Sequence, residues 1–315
     1  MLEHPRVSVI GSTDLARTAA FFSVFGARPQ RLPDVDADAA AALYGVEGAV
    51  EQWTMVTPGV DHHQLVLVAT PHDAVPFAPL TAGAYGLDYF STDIELTLRL
   101  LAGAGATDAS PLVGYGPDPV QHDGDPARWR NYEARLLAPD DISIFVTDIL
   151  RSEQSLYPTL LDDEPERLHS EMLQLCWVSD DIEADLAFWT GEAGLRLMGD
   201  GFPDSAEMAR LMNHPRSTPL RDLALGAVGP TRFRTKIELM AYPEETVTRR
   251  PDWPLRGGLH AAGFLVDDLE QTMTDLHSAS FGDVVEVDRG QGRQACVTAT
   301  SPDQLRFELW ERPGA

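Results

Sequence analysis

Lysine is almost absent. Lys236 is the single one among 24 basic residues, set against 49 acidic residues and a net charge of −25. Such a field repels phosphate backbones and anionic headgroups, which argues against nucleic acid and membrane surfaces as partners. Two cysteines, Cys176 and Cys296, are too few for a disulfide framework. No apolar run approaches the roughly 20 residues that span a bilayer. The opening stretch, MLEHPRVSVIGSTDL, lacks the basic start and apolar core of a signal peptide, so a cytoplasmic protein is expected. Also missing are a Gly-rich phosphate loop, a Cys-x-x-Cys pair and a Ser-His-Asp arrangement, and no nucleotide cofactor is expected. What remains is 315 residues, 43% hydrophobic and 23% charged, a globular composition long enough for two domains.

One pattern recurs four times. A β-type run ends in Asp, and a segment with apolar residues at helical spacing follows. The four starting residues are Asp14, Asp93, Asp181 and Asp268, about 80 to 90 residues apart, a period that marks duplicated units. An Asp at that place accepts from the unpaired N–H groups of the first helical turn and suits the positive end of the helix dipole. Each unit closes on an alternating strand: HHQLVLVAT, DDISIFVTDI, RTKIELMAY and DQLRFELWER. Units one and three carry an additional short helix that units two and four lack, so the order is AB-AB. That order predicts two domains, residues 1–150 and 171–315, joined by a polar linker over 151–170.

The stretches VSDDIEADLAFW and SPDQLRFELWER, with the β-strand, Asp-capped helix and closing I-E-L strand around them, resemble the vicinal oxygen chelate superfamily. That group includes glyoxalases, extradiol dioxygenases, and fosfomycin and bleomycin resistance proteins. The resemblance covers nearly the whole chain. It implies an α+β fold of four βαβββ modules in two paired-module domains, each pair curling an eight-stranded mixed sheet around a pocket. It also implies a divalent metal in that pocket, with up to two ligands from each module. One ligand lies on the first strand, seven residues before the capping Asp, and the other at the Glu of I-E-L.

Those positions read Val7 and Val66 in module 1, Gly86 and Phe145 in module 2, Gln174 and Glu238 in module 3, and Ala261 and Glu308 in module 4. The first domain therefore has no donors, and the second carries the pocket. Gln174, Glu238 and Glu308 are the metal candidates. His260 joins them if a bulge corrects its register, since period-2 alternation otherwise turns it to the opposite face. Glu238 and Glu308, at matching places in modules 3 and 4, would face each other across one pocket as the catalytic carboxylates. Lys236 and Arg306, each two residues before a Glu, are their expected ion-pair partners. Together with Cys176 and His214 they make up the substrate-binding candidates, although simple packing also accounts for Cys176 and solvent exposure for His214 and for the His62–His63 pair. Three functions fit: a metal-assisted isomerase, epimerase or lyase on a small oxygenated molecule; a metal-free ligand-binding or drug-sequestering protein; and an extradiol-type dioxygenase. The last needs two His ligands where Gln174 and Ala261 stand. A homodimer is compatible with all three.

Overall fold

The computed structural model describes residues 2–61, 63–76, 78–115, 131–149, 159–203, 205–214, 217–227, 235–249, 253–290 and 292–314. Module 1 runs β1 (Val7–Ser12), α1 (Leu15–Phe22), β2 (Arg28–Arg31), α2 (Ala37–Tyr44), β3 (Gln52–Val56) and β4 (Gln64–Ala69). Module 2 runs β5 (Thr81–Ser91), α3 (Ile94–Gly103), β6 (Val113–Tyr115), β7 (Asn131–Leu137) and β8 (Ser143–Ile149). A single turn of helix, α4 (Leu160–Asp163), belongs to the expected linker, whose residues 151–158 lie outside the described ones. Module 3 contains β9 (His169–Val178), α5 (Ile182–Ala187), β10 (Arg196–Gly201), α6 (Ser205–Leu211), β11 (Arg221–Gly226), β12 (Lys236–Ala241) and the short β13 (Thr248–Arg249). Module 4 contains β14 (Gly258–Val266), α7 (Leu269–Asp275), β15 (Ser280–Phe281), β16 (Val285–Asp288), β17 (Arg293–Thr300) and β18 (Arg306–Glu311).

The repeated aspartates act as read. Asp14 accepts from the Arg17 amide at 3.0 Å, Asp93 from Leu96 at 2.8 Å, Asp181 from Ala184 at 3.1 Å and Asp268 from Gln271 at 2.8 Å. Each side chain satisfies one of the helix-start donors that would otherwise stay unpaired. The extra helix of the odd modules is present as α2 and α6.

The pairing of modules differs from the expected order. Sheet I joins module 4 to module 1, in the order β15-β17-β18-β14-β1-β4-β3-β2; sheet II joins module 3 to module 2, in the order β10-β11-β12-β9-β5-β8-β7-β6. The seams are antiparallel: β1 lies against β14 with Val9 opposite Ala261, and β5 lies against β9 with Asp88 opposite Gln174. Each sheet still contains one odd and one even module. A repeat in sequence shows that A pairs with B but not which A with which B, so the division at 151–170 does not separate the sheets.

Alternation assigns the faces. Ile10, Leu67, Leu87, Ile144, Trp177, Leu239 and Phe307 point to a core shared by both sheets, where Phe22, Leu101, Trp189 and Leu276 of the four modules also pack. The opposite face of sheet I packs Val7, Val9, Val66, Ala261 and Trp310 under Leu43 and Tyr44 of α2. On sheet II the matching face carries Phe145, Cys176 and Met240 under Met208 and Leu211 of α6.

Candidate functional site: a buried acidic pocket

On sheet II the face opposite the shared core encloses a cavity of about 230 Å³. The β12 and β9 strands are parallel, which sets Lys236 beside Gln174 and Glu238 beside Cys176. The β11 strand adds Asp222, opposite Met240, with Ala224 opposite Glu238. From module 2 come Asp88, opposite Phe145, and Glu133, opposite Thr147. All of these except Cys176 line the cavity, whose apolar wall is formed by Phe145, Met208, Leu211, Met212 and Leu220. Met212 and Leu220, at the two ends of the segment after α6, belong to this wall.

Among the described lining residues, four carboxyl groups thus share one small space with one lysine. Burial pushes the Asp88 carboxyl up to about 6, against the opposing pull of Thr147, Gln174 and Lys236. Thr147 donates to Asp88 at 3.1 Å and Gln174 at 3.4 Å. Burial likewise raises Asp222 to about 6, moderated by a hydrogen bond with Glu238. Glu238 is driven well above the usual carboxylate range, first by burial and then by Asp222. Burial and the neighbouring Asp222 carboxyl both favour the protonated form of Glu238. Burial also lowers Lys236 to about 8, opposed by Asp88 and Glu171. The Cys176 thiol, raised by burial and by Glu238, stays protonated and donates to Glu238 at 2.7 Å. It is a hydrogen-bond donor rather than a nucleophile.

The expected metal centre does not assemble from these residues. Of the four ligand positions in this pocket, Gln174 and Glu238 carry donors, while Phe145 is a phenyl ring and Gly86 has no side chain. A Cβ on Gly86 would sit 2.9 Å from both the Phe145 ring and the Ser143 carbonyl oxygen. Among the described residues no three His, Cys, Asp or Glu side chains are grouped to hold a metal ion.

Glu308 is in the other sheet, so it does not face Glu238 across one pocket. The nested pairing is the reason. Glu308 is fully buried and lies 3.3 Å from Arg289, with Trp310 Nε1 donating to it at 2.7 Å. Arg289 also donates to Gln52 at 2.6 Å and to the Tyr44 hydroxyl, and stacks over the Trp310 ring at 4.5 Å. Its ion-pair partner is therefore Arg289, from the loop before β17, and not Arg306. Arg306 instead lies over the Trp253 ring at 4.9 Å. Lys236 answers to Asp88 and Glu171 rather than to Glu238.

His260 does sit at a bulge. Val9 pairs with Ala261 and Ile10 with Leu259, which leaves His260 as the unmatched residue. The shift turns its ring toward Tyr44, 6.1 Å between centroids, on sheet I and away from Gln174 and Glu238. Tyr85 is the corresponding bulge residue of sheet II, between Ala84 and Gly86. His214 stacks on Tyr242 at 5.9 Å and does not line the cavity. It is buried, not solvated, and so is His63, which contacts Ser8 at 3.2 Å, while His62 lies outside the described residues.

Asp88, Glu133 and Asp222 are pocket residues that sequence reasoning passed over. A signal was available: each is an acid within a strand that also carries buried apolar residues, in GLDYF, NYEARLL and RDLALG.

No family model and no curated protein sequence matches the chain. Solved structures do. Glyoxalase I from Zea mays superposes with a TM-score of 0.60 at 13% identity, over 98% of this chain and 92% of that one. The "putative dioxygenase" of Bacillus subtilis gives 0.59 at 10% identity, over 100% of this chain and 86% of that one. The chain shares its fold, four modules in two sheets, with these two structures.

Proposed function

We propose that the chain is a metal-independent binding protein on this fold, with the sheet II cavity holding a small amphipathic molecule that carries a cationic nitrogen. The observation that carries this reading is the exchange of residues in the pocket. Gly86 and Phe145 stand at two metal positions, while Asp88, Glu133 and Asp222 join Glu238 in excess over Lys236. Buried acids in such excess are costly until a cation neutralises them. The Met, Leu and Phe wall suits an apolar body behind the charged end, and methionines adapt to irregular shapes. This is the sequestering alternative of the sequence analysis. The metal-assisted isomerase reading needs donors that Gly86 and Phe145 do not supply.

A second reading is favoured by the raised carboxyl groups of Asp222 and Glu238 lining one cavity, since acids tuned toward neutrality are suited to moving a proton on a bound molecule. Calorimetric titration of chelator-treated protein with an alkylamine and its carboxylate isostere tests the first reading. Saturable binding of the amine alone, weakened in Glu238→Gln, supports it. Stoichiometric divalent metal in the purified protein, with ligand binding lost on chelation, overturns it. Deuterium exchange into a bound ligand's carbon acid, abolished in Glu238→Gln, would favour the second.

A further inference from the structure

Sheet I has a cavity of its own, about 240 Å³, on the face turned away from the shared core. Its floor is apolar, formed by Val7, Val56, Leu265 and the Trp310 ring. Two glutamines line it: Gln64, two residues before Val66 on β4, and Gln294, two before Cys296 on β17. Strand alternation puts each on the same face as the residue it precedes.

The register shows how this cavity departs from the acidic one. Lys236 lies beside Gln174, seven residues before Asp181, and Gln64 lies beside Val7, seven before Asp14. Across the seams, Asp88 faces Gln174 and Gly263 faces Val7. A lysine and an aspartate of sheet II are thus replaced by an amide and a glycine at the matching places in sheet I. The two arginines of the lining are engaged. Arg289 is held by Glu308, Gln52 and Tyr44. Arg6 pairs with Glu3 at 3.8 Å and donates to the Asp61 carbonyl oxygen at 3.3 Å.

Gln294 is the exception. It is only 6% exposed, yet its side-chain amide makes no hydrogen bond among the described residues. Neither atom of that amide is sealed in protein, and the side chain lines the cavity. Gln64 accepts from the Thr54 hydroxyl at 3.0 Å, which leaves its N–H groups. An amide offers one acceptor beside one donor, and in a buried place it is best satisfied by a partner that presents the reverse order.

We propose that this cavity is a second ligand site, for an uncharged cyclic amide whose adjacent N–H and C=O pair edge to edge with the amide of Gln294. A cavity of about 150 Å³ accepts one benzene ring. The larger volume here admits one ring or two fused rings over the apolar floor. A charged ligand would leave water for a site whose arginines are already matched, and is disfavoured. The site is independent of the sheet II cavity and selects a different chemistry.

The test is calorimetric titration of the full chain with quinolin-2-one, a two-ring lactam, beside its N-methyl derivative and quinoline-2-carboxylate. One saturable site is expected for the lactam. N-methylation removes the donor and should weaken binding about tenfold, the worth of one or two neutral hydrogen bonds. Gln294→Met keeps the volume without the amide. It should weaken the lactam by about as much and leave the N-methyl compound unchanged. Glu238→Gln, in the sheet II cavity, should not alter lactam binding, which separates failure of this site from failure of the sheet II reading. Four outcomes overturn the proposal: no saturable lactam binding, equal affinity for the lactam and its N-methyl derivative, tighter binding of the carboxylate, or loss of lactam binding in Glu238→Gln. Saturation-transfer NMR with the unaltered chain compares the three compounds without depending on any variant folding.

Discussion

The Arg289 guanidinium lies 3.3 Å from the Glu308 carboxylate, and neither side chain is more than 1% exposed. Resemblance in sequence made Glu308 an expected metal ligand; in the structure its charge is paired with an internal cation, Arg289. Removing one partner of such a pair strands the other in a low-dielectric interior. Arg289→Met should therefore cost about 3–5 kcal/mol of stability, and Arg289→Met with Glu308→Leu should recover much of it. Denaturant unfolding of both single variants and the double variant measures this. Additive losses would mean the two groups are not coupled.

Gly86 carries a packing argument rather than a chemical one. Its missing side chain leaves room for the Phe145 ring and for the Ser143 carbonyl on the parallel neighbour β8. Gly86→Ala should destabilise by about 1–3 kcal/mol, because backbone on the partner strand cannot step aside. A thermal melt at or above that of the unaltered protein would contradict the contact.

Binding of a cation in sheet II should depend on pH. Asp88 and Asp222 are each raised to about 6, and only their ionised forms attract a positive nitrogen. Affinity for an alkylamine should rise as pH increases from 5 to 7, about tenfold or less for each acid titrated. Asp222→Asn should flatten the rise. Titrations at several pH values decide it, and affinity that falls over that interval would exclude the pocket acids as the recognising groups.

Asp185 of α5 gives a stability prediction. It accepts from Ser179 at 2.7 Å and from Ser301 at 2.8 Å, and burial with the nearby Asp303 raises it to about 7. Its folded value lies above its unfolded one. Its contribution to stability is then complete below the unfolded value, near 4, and is lost as pH rises through about 7. Asp185→Asn should gain about 1–3 kcal/mol over the unaltered protein at pH 8 and little at pH 4. Unfolding curves at the two pH values provide the comparison.

How much of this was legible in the sequence varies by kind of feature. The helix starts were, because Asp14, Asp93, Asp181 and Asp268 act through contacts three residues away. Pocket-facing placement of Gln174 and Glu238 was also legible, because alternation along a strand fixes its faces. The pairing of strands from different modules was not: β1 meets β14 through a contact that no local pattern encodes. The separation of Glu308 from Glu238 followed from that. Arg289 sits in a loop, where periodicity has nothing to say, and only the closed sheet reveals that it reaches Glu308. His260 was readable as a conditional, since a bulge does shift it, but the destination of its ring depended on which module lay opposite.

Module 1 donates one flank of its first strand to a segment that begins only at residue 258. During synthesis, β1 therefore leaves the ribosome long before β14 exists, and its paired edge waits unprotected while modules 2 and 3 complete sheet II between themselves. The chain should mature from the middle outward, the last-made module returning to cover the first-made. Dividing the gene at the 151–170 linker would give two fragments that each carry half of both sheets, whereas excising modules 2 and 3 together removes one sheet whole.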